Sequence, residues 1–141
     1  MSASRAEHQD WLPLILVGVG GALGTLLRFA ITALVPTLGD VPLATMTVNL
    51  TGAFLLGLLL ERLKVRDPET QTARAIRLGV GTGVLGSYTT YSALAVGADG
   101  LIDTGNVTVG LLVAIPTVAA GVVVAALGAR VARMAARKGA K

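Results

Sequence analysis

Charged residues divide this chain into long apolar blocks. Residues 11–27, 41–60, 78–98 and 104–129 contain no Asp, Glu, Lys or Arg, and the first block continues past a single interruption, Arg28, to residue 39. A helix rising 1.5 Å per residue needs about 20 apolar residues to cross a hydrocarbon core. The pattern therefore predicts four transmembrane helices, over about 11–35, 42–63, 74–98 and 107–129, in a single domain spanning 1–141.

The connections between these blocks are short. Residues 36–42 hold turn formers, RDPETQT (66–72) is a polar linker with Pro68 near its centre, and DGLIDTGN (99–106) reads as a third loop because Gly100, Gly105 and Asn106 favour turns. Comparison of the first two helices with the last two gives no residue-level match, so the inverted repeat of many transporters is not visible. Four helices enclose little volume, and an oligomer is expected to complete any pathway.

Composition agrees with the pattern. The 141 residues are 53% hydrophobic and 14% charged, with a mean hydropathy of +0.73, whereas soluble domains run at about 45–50% apolar and 25% charged. The expected fold class is an all-α membrane protein. Residues 1–10 are of mixed charge and no evident cleavage site follows, so a cleavable signal peptide is a poor reading. The absence of cysteine removes disulfides and thiolate metal sites, and the one histidine, His8, lies in the polar N-terminal tail.

The distribution of charge matters more than its sum. The net charge is +4 and the isoelectric point about 10.1, values that by themselves suit nucleic acid. With four crossings, however, eleven of the twelve basic residues fall on the side shared by the two tails and the 66–72 linker, and none falls in the other two loops. Basic flanks stay cytoplasmic. The chain is thus predicted to be a multi-pass protein of the cell membrane with both termini cytoplasmic, and the tail RVARMAARKGAK (130–141) reads as a membrane-surface anchor beside anionic headgroups, not as a nucleic-acid patch.

Glycine and polar residues within the blocks carry the remaining information. Gly20 with Gly24, and Gly79 with Gly83, have the small-xxx-small spacing of close helix contacts. Gly81, Gly83 and Gly86 also fit the dinucleotide-binding spacing, but no strand precedes them and no acidic residue follows at the required distance. Arg28 lies roughly 26 Å along the first helix, where it either snorkels to the far interface or forms an electropositive vestibule. Asn49, near the centre of ATMTVNLTGAFLLG (44–57), either bonds a neighbouring helix or turns its donors to a desolvated anion.

The least ordinary stretch is GVLGSYTTYSA (83–93), in which Ser87, Tyr88, Thr89, Thr90, Tyr91 and Ser92 form an unbroken row of hydroxyls. Six consecutive side chains cannot share one helix face. Either these hydroxyls bond carbonyls one turn earlier in an intact helix, or the helix breaks near Gly86 and Ser87, which is tolerated at membrane depth only inside protein or along a cavity. Thr108 and Thr117 fit the first explanation, and Pro116 predicts a kink. No Asp, Glu, His or Cys lies within the blocks to serve as base, nucleophile or metal ligand, so an enzyme is not expected. A proton-coupled exporter lacks its buried carboxylate for the same reason. Hydrogen-bond donors and one cation remain, which is the chemistry of a small anion.

Three segments resemble elements of the CrcB/Fluc family of fluoride ion channels: GGALGTLLRF (20–29), ATMTVNLTGAFLLG (44–57) and GVLGSYTTYSAL (83–94), in the family's order and each on its own helix. The resemblance implies passive fluoride export through two narrow pores in an antiparallel dimer. It implies a broken third helix in which backbone carbonyls at Gly86 and Thr89 of both subunits hold a structural Na⁺. Asn49 matches the pore asparagine and Arg28 the vestibule arginine, and Thr90 and Ser92 fall on the hydroxyl positions of the same motif. A path for fluoride, which holds its water strongly, needs close donors: amide N–H, hydroxyls and aromatic ring edges.

The chain departs from the family pattern at Tyr91 and Leu94, where phenylalanines are usual, and at Ser87 and Gly97. Tyr91 keeps a ring, and Leu94 offers none. The strong basic bias fixes one orientation of insertion, whereas an antiparallel homodimer needs one sequence to insert both ways. The expected assembly is a heterodimer with a paralogue of opposite bias. The competing readings are a small multidrug-type exporter and a non-conducting partner subunit.

Overall fold

The computed structural model describes residues 11–35, 42–66, 70–103 and 107–139, and among them it is entirely helical apart from short connecting residues. Helix α1 spans Trp11–Leu34 and α2 spans Leu43–Arg66. Helix α3, Gln71–Ile76, continues into a π-helical segment, Arg77–Leu85, and then into one turn of α-helix, α4, Gly86–Tyr88. After Thr89 and Thr90 the chain enters α5, Tyr91–Asp103, and α6 closes the fold over Val107–Gly139. The segments 11–34, 43–65 and 110–138 are each long and apolar enough to cross a membrane. Their outward faces carry exposed Leu, Ile, Val and Phe, which is stable in lipid and costly in water.

Four boundaries differ from the sequence reading, the first being α2, which runs to Arg66 and not to 63. Gln71 and Thr72, read as linker, open α3, because the Thr70 hydroxyl accepts the Ala73 N–H at 3.1 Å and caps the helix. Residues 99–103, read as loop, are the last turn of α5, whose interior tolerates Gly100. The basic stretch after residue 129 is no separate tail but the continuation of α6 to Gly139. Its Ala, Arg and Met residues are strong helix formers. Residues 36–41, 67–69, with Pro68, and 104–106, read from the sequence as turn, linker and loop, lie outside the described residues.

Two helix pairs are held by close backbone approach. Helix α1 lies along the π segment and α4, while α2 lies along α6, with α5 packed on α6. In the first pair a Cβ on Gly20 would collide with the Gly79 carbonyl oxygen, and one on Gly24 with that of Val84. The two small-xxx-small motifs thus meet each other. In the second pair Gly57 faces the Ala125 carbonyl and Gly128 that of Phe54, and Arg133 Nε on α6 joins Glu61 Oε1 on α2 at 2.8 Å.

Wide π turns are found where a helix is locally strained or functional. Here four glycines, at 79, 81, 83 and 86, lie in or beside the widened segment. The chain that leaves it changes partner: the part before Thr89 belongs with α1, and the part after Thr90 with α6, while α2 touches both.

Because Gly24 meets backbone and not a movable side chain, Gly24→Ala should cost about 1–3 kcal/mol through overpacking. Gly18→Ala, whose added Cβ meets nothing within 4 Å, should be neutral. Melting temperatures of the two variants in detergent check this, and equal values would show that the contact is dispensable.

Candidate functional site

The site is the place where helical hydrogen bonding stops. Thr89 ends α4 with φ −77° and ψ 156°, an extended conformation. Its own N–H still reaches the Leu85 carbonyl at 3.1 Å, and its hydroxyl donates to the same oxygen at 3.0 Å. Beyond it the pattern fails. In a continuous helix the Thr90 N–H would donate to the Gly86 carbonyl and the Ala93 N–H to that of Thr89. Instead the Thr90 N–H donates to Asn49 Oδ1 at 2.8 Å, and the Ala93 N–H donates to Thr90 Oγ1 at 3.2 Å, capping α5.

Asn49 completes the exchange by donating from Nδ2 to the Thr90 carbonyl at 2.9 Å. One side-chain amide on α2 thus meets both the N–H and the C=O of a single residue in the interrupted segment. The pairing fixes the amide's orientation, since the Thr90 N–H requires an oxygen and its carbonyl requires an N–H. It also leaves the second Nδ2 hydrogen available. The Thr90 carbonyl, as that of the residue capping α5, also takes the first bond of that helix, so the N–H is the group that depends on Asn49; leaving it buried without a partner would cost about 1–3 kcal/mol, and Asn49 is a structural requirement of the break as well as a polar group beside it.

A second tie lies two residues earlier, at Tyr88. The Thr51 hydroxyl is 2.7 Å from the Thr47 carbonyl and 2.9 Å from Tyr88 Oη. A carbonyl only accepts, so the Thr51 proton is committed to Thr47 and the Tyr88 hydroxyl is the donor of the pair. Between these ties sits Gly52: a Cβ there would strike Thr89 Cγ2 and lie 3.2 Å from the Tyr88 ring. Glycine at this position lets α2 approach the extended residue closely enough for Asn49 to reach Thr90.

Asn49, Thr89, Thr90, Tyr91 and Leu94 share the wall of a cleft of about 290 Å³ with Ala53, Leu56, Thr117, Val118 and Gly121. Thr90 is buried, while Tyr91 is 77% exposed at the start of α5. Leu94 is 3% exposed and packs with Val113 and Met46, so it is a core residue with one edge on the cleft. Ser92 is exposed, and its Oγ lies 3.2 Å from Thr90 Oγ1. Gly86 and Arg28 are not part of this wall. Gly86 opens α4, and Arg28 stands half-buried on α1.

Thr117 and the Thr51–Tyr88 pair were not singled out as site residues from the sequence. Thr117 is buried on α6, and its hydroxyl donates to the Val113 carbonyl, the back-bonding expected of it. Tyr88 lay within the hydroxyl row, and a buried phenol calls for a partner, but nothing in the spacing pointed to Thr51. Among the described residues no group of His, Cys, Asp or Glu is placed to hold a metal ion. A cation here would depend on carbonyl oxygens.

A family model described as CrcB-like protein, Camphor Resistance (CrcB), matches residues 15–129. Over 119 residues the chain is 47% identical to the fluoride-specific ion channel FluC 2 of Leifsonia xyli subsp. xyli, covering 84% of this chain and 82% of that one. It is 43% identical over 126 residues to the fluoride-specific ion channel FluC 1 of Cutibacterium acnes, covering 87% and 88% of the two chains. It is 42% identical over 118 residues to the fluoride-specific ion channel FluC of Thermus thermophilus, covering 82% and 91%. With the interrupted segment, its asparagine and the apposed glycines all inside the matched region, the chain belongs to the CrcB family.

Proposed function

We propose that this protein is a subunit of a fluoride-specific ion channel through which fluoride leaves the cytoplasm passively. The observation that carries the reading is its 47% identity over 119 residues to a relative named as a fluoride-specific ion channel. The cleft at the helix interruption supplies suitable chemistry. The free N–H of Asn49, the one O–H that the bonded Thr90–Ser92 pair leaves over and the ring of Tyr91 are donors for an anion that has given up water. No acid or base is required of them, and the role is transport and not catalysis.

The segments before and after Thr89 form one membrane crossing in this reading. Helix α5 has 13 residues and rises about 20 Å, too little to span the core alone. The crossing is completed by α3, the π segment and α4. Both termini lie in the cytoplasm, where the basic residues concentrate, and Arg28 draws anions toward the opposite mouth. The partner is a paralogous subunit inserted the other way, forming an antiparallel dimer. That relatives are numbered FluC 1 and FluC 2 supports such pairs, and the exposed Tyr91 suits a surface completed by a second chain.

The same interruption suits a structural Na⁺. The carbonyls of Gly86 and Thr89 lose the helical donors that Thr90 and Ala93 would have supplied, and carbonyls of unwound backbone are Na⁺ ligands. A bound Na⁺ would supply positive charge to carbonyl oxygens there, and Gly86 and Thr89 are the residues of this chain that would present them.

Three measurements test the reading. Liposomes containing this chain with a second homologue from the same genome should release fluoride and retain chloride. Robust fluoride efflux from this chain alone would overturn the heterodimer, and none from either preparation would overturn the channel. Asn49→Ala should remove both ties to Thr90, lowering stability by about 1–3 kcal/mol and abolishing flux. Asn49→Asp keeps the acceptor but sets a carboxylate against the Thr90 carbonyl and the anion path, so undiminished flux in it would remove Asn49 from that path. Exchange of Na⁺ for a large organic cation should lower the melting temperature of the assembled dimer, and an unchanged value would remove the Na⁺ site.

A further inference from the structure

A separate polar feature lies at the far end of α6, past residue 129 where the family match stops. Arg130, Arg133, Met134 and Arg137 line a cleft of about 300 Å³. Their spacing of three, four and seven residues places them on one face of the helix. The face is organised from α2: Glu61, with only 16% of its side chain exposed, holds Arg133 through Nε at 2.8 Å. A guanidinium has five N–H donors, so that contact leaves the Nη groups of Arg133 for another partner. Glu61 balances the charge of Arg133, and Arg130 and Arg137 remain as two exposed cations beside it.

The surroundings indicate what that partner is. Leu127, Val131 and Met134 are 47%, 43% and 61% exposed on the same stretch of α6, so the arginines begin where the apolar surface of the span ends. A ligand that seats a phosphate among the arginines finds an apolar wall within one turn. A soluble anion or a nucleic acid makes no use of that wall, whereas a phospholipid uses both parts, and arginine forks match phosphate oxygens in pairs. We propose that this cleft binds the headgroup phosphate of one anionic phospholipid from the leaflet on the basic side of the membrane, with its acyl chains against Leu127 and Val131. Arg130 and Arg137 supply the charge, and Glu61 is a positioning residue that holds Arg133 toward the headgroup.

Native mass spectrometry of the full chain, released from bilayers of equal phosphatidylglycerol and phosphatidylcholine, tests the proposal. Phosphatidylglycerol should be retained in preference, and the Arg130→Gln/Arg137→Gln double variant should lower its retention about thirtyfold. The Arg74→Gln/Arg77→Gln variant, which removes the same charge from the same side outside the cleft, should leave retention unchanged. Should the first pair not fold, Arg137→Gln alone is expected to lower retention about fivefold. Equal retention of the two lipids, or equal loss in the two double variants, would reduce the effect to general surface charge and overturn the site. Displacement of the lipid by millimolar inorganic phosphate would reassign the cleft to a soluble anion and overturn it as a lipid site.

Discussion

A peptide group that leaves a helix inside an apolar bundle must find another partner, and much of this structure is arranged around that requirement at Thr90. Its N–H and C=O both turn to one amide on α2. For Asn49 to reach them, α2 must come close, which requires glycine at position 52. For the segment to hold its extended turn, the preceding residue must be tied as well, and Tyr88 does this through Thr51. The following helix must begin cleanly, and the Thr90 hydroxyl caps it. The Asn49 amide and the Thr90 hydroxyl thus take up the missing helical bonds, and Gly52, Thr51 and Tyr88 hold the segment against α2.

The interruption also explains how the bundle is connected. A straight helix in this position would stay with one neighbour throughout its length. Turning at Thr89 and Thr90 transfers the chain from the α1 side to the α6 side. The transfer opens a cleft between α2, α5 and α6 in which polar groups of the backbone and of Asn49 are presented beside Tyr91. The polar row in the sequence and the change of packing partner are therefore consequences of one event.

Much of this was legible before the fold was known, and what was not had definite causes. The apolar blocks stood out because the charges fall between them, and the hydroxyl row was conspicuous because no single helix face can hold it. For Asn49 the sequence left a choice between bonding a neighbour and facing an anion. Its oxygen and one N–H go to Thr90, 41 residues away, and the remaining N–H is still beside the cleft. Leu94 illustrates the opposite difficulty. A residue type gives no sign of lying at once in the core, against Val113 and Met46, and at the edge of a cleft. Segment ends at 70, 103 and 139 were obscured because a capping threonine, an interior glycine and a row of basic helix formers all resemble loop or tail chemistry.

The glycine contacts in the two helix pairs bear on motion. Where Gly20 and Gly24 meet the carbonyls of Gly79 and Val84, and Gly57 and Gly128 meet those of Ala125 and Phe54, no layer of side chains lies between the helices to change rotamer and let them slide. Rocking of one helix against another, the usual means by which a transporter exposes its site to alternate sides, would require backbone contacts to separate. Each pair locked in this way moves as one body, and the α2–α6 pair is a fixed wall for the cleft it borders.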